Sequence, residues 1–283
     1  MSATEPGDPV WVELFTADPG RAIAFYGELF GWTAERDDDF GGYLTFRSGG
    51  LAVAGGMGKS APEDGPDQWT VYLAAEDARA TAEAATANGG AVVLPPMAVG
   101  ELGTMAVLAD SAGSGIGVWQ RGRFAGIETA PIGQDDMWRH GEPGWFELHT
   151  PDYDKTLSFY REVFGWRDVT ELPGPPGFRY STIHATHPMR GGVMDATAVP
   201  AEAALPGWNV YLGSADVDAT VATAVRLGAT VVHPAEDSPY GRMAVLTDPT
   251  GARFCVGGSN VGREEVGRDE VGGDDNAGNT APS

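Results

Sequence analysis

The sequence predicts an α+β fold of two tandem copies of one domain, each copy being a pair of βαβββ modules. The first observation behind this is an internal repeat. When Val10–Trp32 is laid over Gly144–Trp166, eleven of twenty-three positions match, and WTVYL at Trp69 returns as WNVYL at Trp208, MAVLAD at Met105 as MAVLTD at Met243. The offsets are 134, 139 and 138, so only short insertions separate the copies. The second observation is that apolar spacing switches between the strand period and the helix period within each copy. The third is glycine punctuation at the ends of the helical stretches.

Val10–Phe15 is rich in β-formers and partly alternating. Asp18-Pro19 then opens a helix, along which Ala22, Phe25, Tyr26, Leu29 and Phe30 recur at helical spacing until Gly31 ends it. Tyr43–Phe46 and Leu51–Ala54 are short strands separated by Ser-Gly-Gly, followed by a loop through Pro66. The pattern restarts with a strand at Thr70–Ala74 and an Ala-rich helix from about Asp77 to Ala87, stopped by Asn88-Gly89-Gly90. Strands follow near Val92, at Met105–Leu108 and at Ile116–Trp119. The repeat carries the same order into the second copy.

These readings divide the chain into an N-terminal extension (1–8), a first domain (9–120), a linker (121–143), a second domain (144–258) and a tail (259–283). The tail is Gly-rich and acidic with too little apolar content to fold, and is expected to be disordered. Phe124, Ile127, Ile132 and Trp138 in the linker predict that it lies along the domains. No apolar run approaches the roughly 20 residues that span a bilayer, and MSATEPGDP carries no secretory signal. A single cysteine, Cys255, excludes an internal disulfide framework and fits the cytoplasm. The net charge is −22, of which the tail holds −4, so the folded part is itself acidic. That balance argues against nucleic acid or an anionic membrane as partner.

The βαβββ modules, the aromatic helix ends FYGELFGW and FYREVFGW, the helix stops at Asn88-Gly89-Gly90 and Leu227-Gly228-Ala229, and the turn Asp248-Pro249-Thr250-Gly251 together resemble the vicinal oxygen chelate superfamily. That superfamily includes glyoxalase I, bleomycin-resistance proteins and extradiol dioxygenases. The W-x-E-L-x-T start of both copies is similar to two-domain glyoxalase-like proteins that accompany anthracycline biosynthesis, often labelled hydroxylases. The resemblance implies that each domain is a concave half-barrel with its ligand cavity on the concave face. In metal-dependent members, His, Gln or Glu side chains on that face hold a divalent ion that chelates vicinal substrate oxygens.

The resemblance also implies where those ligands stand. Seven residues before the Asp that closes the first strand are Trp11 and Trp145; seven after the Asp of the late turn are Gly117 and Cys255. The remaining positions fall near Thr70 and Asn209, and near Gly55-Gly56 and Gly191-Gly192, with Asp195 the nearby carboxylate. Neither copy supplies the three or four converging donors that zinc, iron or nickel needs, so no metal and no cofactor is expected. His184 and His187, three apart on a strand, face opposite sides, His140 lies in the linker, and His233 before Pro234 reads as loop. Cys255 without an identifiable base reads as packing.

Strand alternation places Trp11, Glu13 and Phe15 on one face, and Trp145, Glu147 and His149 on the matching face of the second copy. With Thr70, Tyr72, Asn209 and Tyr211 these form the expected ligand-binding set. An aromatic pocket holding a carboxylate suits a planar, partly cationic small molecule. The leading expectation is metal-independent binding or sequestration of an aromatic metabolite or drug, by a monomer whose domains pair within the chain. The alternatives are a lyase, isomerase or hydroxylase using Glu13, Glu147 or His149 as base, with a carboxylate pKa raised by burial, and a protein-interaction scaffold. A sealed core, with each Glu paired internally, is the structural alternative to a ligand site.

Overall fold

The computed structural model describes residues 4–61, 65–128, 138–183, 191–201 and 204–260. The first domain contains β1 (Pro9–Thr16), α1 (Pro19–Phe30), β2 (Thr33–Asp37), β3 (Tyr43–Ser48), β4 (Leu51–Gly58), β5 (Gln68–Ala75), α2 (Ala78–Ala87), β6 (Ala91–Val99), β7 (Gly103–Ala109) and β8 (Gly115–Arg121). The second repeats the order with β9 (Pro143–Thr150), α3 (Tyr153–Phe164), β10 (Val169–Glu171), β11 (Tyr180–Ile183), β12 (Gly191–Asp195), β13 (Gly207–Gly213), α4 (Val217–Arg226), β14 (Thr230–Ser238), β15 (Gly241–Thr247) and β16 (Arg253–Gly258).

Each domain is one eight-stranded sheet, ordered β2-β3-β4-β1-β5-β8-β7-β6 and β10-β11-β12-β9-β13-β16-β15-β14. Its two modules meet at an antiparallel seam, β1 against β5 and β9 against β13. Both modules of a concave face therefore come from the same copy. Strand β2 was not among the sequence readings: TAERD is a mostly exposed edge strand with no buried apolar residue, so it lacks the pattern that reveals a strand. His233 lies in β14 rather than in a loop, at a register shift beside Pro234. His184, His187, Ile132 and residues 261–283 lie outside the described residues.

Local chemistry sets the helices. Aspartates cap all four: Asp18, Asp77, Asp152 and Asp216 accept from first-turn amides. Gly31 and Gly165, at φ 71° and 72°, close α1 and α3 in the left-handed conformation. The aromatic ends of α1 and α3 are core: Phe25, Tyr26, Phe30, Trp32, Phe159, Tyr160, Phe164 and Trp166 are buried in one cluster running through both domains.

That shared core is stitched by a duplicated motif. Trp69 Nε1 donates to the Tyr26 hydroxyl (3.0 Å), which donates to Asp248 of the second domain (3.0 Å). Reciprocally, Trp208 Nε1 donates to Tyr160 (2.8 Å), which donates to Asp110 of the first (3.2 Å). The late-turn aspartate of each copy thus receives a phenol from the other copy. Among the described residues no helix is long and apolar enough to cross a membrane.

Lys59 and Asp67 form a salt bridge in which the side chains are 6% and 5% exposed. Asp67 also accepts from Ala17 N and Thr16 Oγ1. Burial raises its pKa, but Lys59 and these donors outweigh it and hold it at about 2. A folded-state value below the unfolded one stabilises above pH 3.8 and is lost as pH falls through about 2. Asp67→Asn should therefore lose about 2 kcal/mol at neutral pH. Urea unfolding of both proteins in strong acid should find that difference gone.

Candidate functional site

The concave face of each sheet carries the same four side chains. In the first domain Trp11 and Glu13 project from β1, Tyr43 from β3 and Tyr72 from β5. Trp11 Nε1 donates to the Tyr43 hydroxyl (2.9 Å), Tyr43 faces the Glu13 carboxyl, and Tyr72 donates to Glu13 Oε1 at 3.3 Å. In the second domain Trp145 Nε1 donates to Tyr180 (3.1 Å), Tyr180 to Glu147 Oε2 (2.7 Å) and Tyr211 to Glu147 Oε1 (3.2 Å). An indole can only donate, so each first phenol accepts from tryptophan and spends its own proton on glutamate.

The strand register explains the meeting. Glu13 pairs with Gly55 and Thr70, and Trp11 with Tyr72; Glu147 pairs with Gly192 and Asn209, and Trp145 with Tyr211. A Cβ at Gly55 or Gly192 would overlap the Tyr43 or Tyr180 hydroxyl. A Cβ at Gly117 would strike the Tyr72 ring. Of the positions near which the resemblance places metal ligands, Gly55, Gly192 and Gly117 leave room for phenols and two are the indoles Trp11 and Trp145; Thr70, Asn209 and Cys255 occupy the others. Among the described residues no group of three His, Cys, Asp or Glu converges to hold a metal. One or two hard donors surrounded by phenols and indoles do not fit a transition metal.

Tyr43 and Tyr180 were missed by the sequence reading. Their signal was the shared Tyr-x-Thr start of β3 and β11, at Tyr43-Leu44-Thr45 and Tyr180-Ser181-Thr182. That similarity is short and lies where the copies differ in spacing.

The two clusters differ at the residue two beyond each glutamate. His149 Nε2 lies 2.6 Å from Glu147 Oε1, and its Nδ1 accepts from Leu205 N at 3.1 Å. The Leu205 amide needs the Nδ1 lone pair, which assigns the ring proton to Nε2, facing Glu147. Neither nitrogen is left for a ligand, which corrects the reading of His149 as a base. The aligned residue in the first domain is Phe15, half-buried and without a donor. Burial raises the pKa of Glu147, but His149, Tyr180 and Tyr211 outweigh it and bring it below the usual carboxylate value. This corrects the expectation of a raised pKa there. At Glu13 burial prevails over Tyr43 and Tyr72, and the pKa is raised.

Asn209 also departs from the expected lining role. Its Nδ2 donates to Leu205 O (2.8 Å) and Gly207 O (3.0 Å), holding the turn before β13. Thr70 is half-buried in β5, across from Glu13. Asp195 caps the turn after β12 through Thr197. Burial, with the Glu147 charge second, pushes the Cys255 thiol up to about 12, so it is not a thiolate nucleophile at neutral pH.

The linker covers both faces. Ile127 N donates to Val10 O and Glu128 N to Ala52 O, carrying residues 124–128 along β1 and β4. Phe124 lies edge-on to Trp11 (4.8 Å) and Trp119 (6.0 Å). In the second domain Gly257 stands where the first has Trp119, and a Cβ there would overlap Trp138 of the linker. One indole is supplied by the strand, the other by the linker. Phe124→Ala should therefore expose Trp11 and Trp119, giving a red-shifted tryptophan emission and a stability loss of about 1–2 kcal/mol for this half-buried ring. An unchanged spectrum would mean that the strap does not shield the indoles.

Residues 9–118 match the family described as glyoxalase/bleomycin resistance protein/dioxygenase superfamily, and residues 145–257 a glyoxalase-like domain. The anthracycline biosynthesis protein DauV of Streptomyces sp. (strain C5) is 36% identical over 272 residues, covering 90% of this chain and 94% of that protein. Among solved structures, the Mn(II)-bound glyoxalase from Novosphingobium aromaticivorans is 17% identical with a TM-score of 0.57, covering 90% of this chain and 83% of that one. The 2,2',3-trihydroxybiphenyl 1,2-dioxygenase from Sphingomonas wittichii strain RW1 is 15% identical with a TM-score of 0.57, covering 90% and 91%. The last two likenesses concern the fold.

Proposed function

This chain belongs to the glyoxalase/bleomycin resistance protein/dioxygenase superfamily, and from that premise we propose that it is a metal-independent binding protein for a planar aromatic small molecule, acting as a cytoplasmic monomer in a biosynthetic or sequestering role. The observation that carries this reading is the Trp–Tyr–Glu–Tyr cluster standing at or beside the expected metal positions. Indole and phenol faces offer stacking area to a ring system. The central carboxylate offers a charge-assisted hydrogen bond to a cationic or donor group. The kinship with DauV favours an accessory role in making or holding an aromatic product.

Metal analysis and native mass spectrometry on one gently purified sample test this. The expected result is metal-free, monomeric protein that carries or takes up an aromatic molecule. A stoichiometric transition metal overturns it.

A second reading, proton abstraction by Glu13, is favoured by one observation: burial raises the pKa of that carboxyl toward the range useful to a general base. Turnover of an α-keto aldehyde, catechol or quinone that is lost in Glu13→Gln would establish it. No turnover across such a panel removes it.

A further inference from the structure

Resting on the binding reading above, we infer that the two concave sites are unequal: the first domain takes the ligand, a planar aromatic cation paired to Glu13, and the second is closed on itself by His149.

The clusters match at four positions, so the neighbours decide. Glu147 is satisfied within the chain by His149 at 2.6 Å, Tyr180 at 2.7 Å and Tyr211 at 3.2 Å, and its side chain is 13% exposed. His149 is pinned on its other side by Leu205 N, and Leu205 is held by Asn209. A ligand reaching Glu147 would have to dismantle that chain of bonds. It would also meet the Cys255 side chain where the first domain has Gly117.

Glu13 has no such supplement. Phe15 supplies no donor, and Glu13 is left with the two phenols, Tyr43 and Tyr72, alone. A buried carboxylate held by two phenols is under-compensated, and a cationic donor would supply the third hydrogen bond that neutral His149 gives Glu147, together with a countercharge. The approach also differs from bulk surface. A groove of about 490 Å3 runs along β2 and β3 beneath the strap, lined by Thr45, Arg47, Ala52 and Phe124. Phe124 stands between this groove and Trp11, so a ligand entering here reaches Glu13 by displacing that ring. Its size suits a fused ring system. Its rim carries Glu35, Asp37, Asp38, Asp39 and Glu128 against Arg36 and Arg47, a net negative mouth that attracts cations. Arg47 is itself engaged by Glu35 (2.9 Å) and Glu128 (3.3 Å).

The test is calorimetric and fluorescence titration of the full chain with proflavine, a planar aromatic cation, at neutral pH. The expected stoichiometry is one. Glu13→Gln should weaken binding about tenfold or more, the loss of one charge-assisted bond. Phe15→His, which gives Glu13 its own donor, should weaken it similarly. His149→Phe made together with Cys255→Gly should release Glu147, clear its approach and raise the stoichiometry to two. If the wild type binds two equivalents, one lost in Glu13→Gln and the other in Glu147→Gln, the inequality is overturned and concave-face binding stands; if one equivalent binds unchanged in both Glu13→Gln and Phe15→His, the dye sits elsewhere and the inequality falls together with the binding reading. If the wild type binds none, the binding reading falls with it. Should the variant combining His149→Phe and Cys255→Gly fail to fold, the Phe15→His and Glu13→Gln pair still decides.

Discussion

Replacing Asp248 by alanine is expected to remove about 3–5 kcal/mol of folding stability, because it empties a buried, fully used carboxylate. Its Oδ1 accepts from the amides of Thr250, Gly251 and Ala252 and from Thr250 Oγ1, at 2.8–3.0 Å. Its Oδ2 accepts from Tyr26 of the other domain. Alanine leaves the buried Ala252 amide and the buried Tyr26 hydroxyl without their acceptor and loosens the half-buried turn at Thr250, and Trp69 loses the orientation of the phenol to which it donates. Tyr26→Phe removes the interdomain link and also the acceptor of Trp69 Nε1, and should cost about 2 kcal/mol. A double-mutant cycle in urea separates turn from junction: a coupling near zero would mean that the phenol bond does not tie the domains together. Asp110→Ala should behave in parallel, since it accepts from Ala112 N, Ser114 N and Tyr160.

Glu147→Gln and Glu13→Gln are expected to move stability in different senses. Glu147 is held below its ordinary pKa because three donors outweigh burial, so its ionised form favours the folded state. That contribution is present above pH 4.5 and is lost as pH falls through the depressed folded value. An amide accepts on one atom only, and the change should cost about 2–4 kcal/mol at neutral pH. Glu13 has the opposite sign. Its pKa is raised, so its contribution is present below pH 4.5 and is lost as pH rises through the folded value. Glu13→Gln should be neutral or stabilising by about 1 kcal/mol at neutral pH. Chemical denaturation across pH checks both. Equal losses in the two variants would mean that Phe15 and His149 do not set the difference.

Much of the site was legible because a strand has only two faces. The spacing of Trp11, Glu13 and Phe15, and of Trp145, Glu147 and His149, fixes their common side once the first strand is recognised. Tyr72 and Tyr211 followed from the repeat, two residues beyond the positions aligned on the helix stops. Tyr43 and Tyr180 did not, because they reach the carboxylates from strands two away in the sheet, and nothing local in YLT or YST announces that partner. Asn209 was read as lining because its register is right. Its amide instead turns to backbone carbonyls at Leu205 and Gly207, a choice set by a turn the sequence does not specify.

The sequence by itself determined the duplication, the order of most elements, the helix caps and the absence of a metal-ligating pattern at the family's positions. Each of these depends on residue identity within a short stretch. Tertiary structure alone decided which phenol meets which carboxylate, that the aspartate of each late turn is satisfied by the opposite copy, and that Phe124 and Trp138 lie over the concave faces. It also decided that Glu13 and Glu147, equivalent positions of the repeat, are driven to opposite sides of their ordinary pKa. Desolvation and hydrogen bonding are summed over neighbours distant in the chain as well as near, and His149, whose place Phe15 takes in the first domain, is the largest of the influences that lower Glu147.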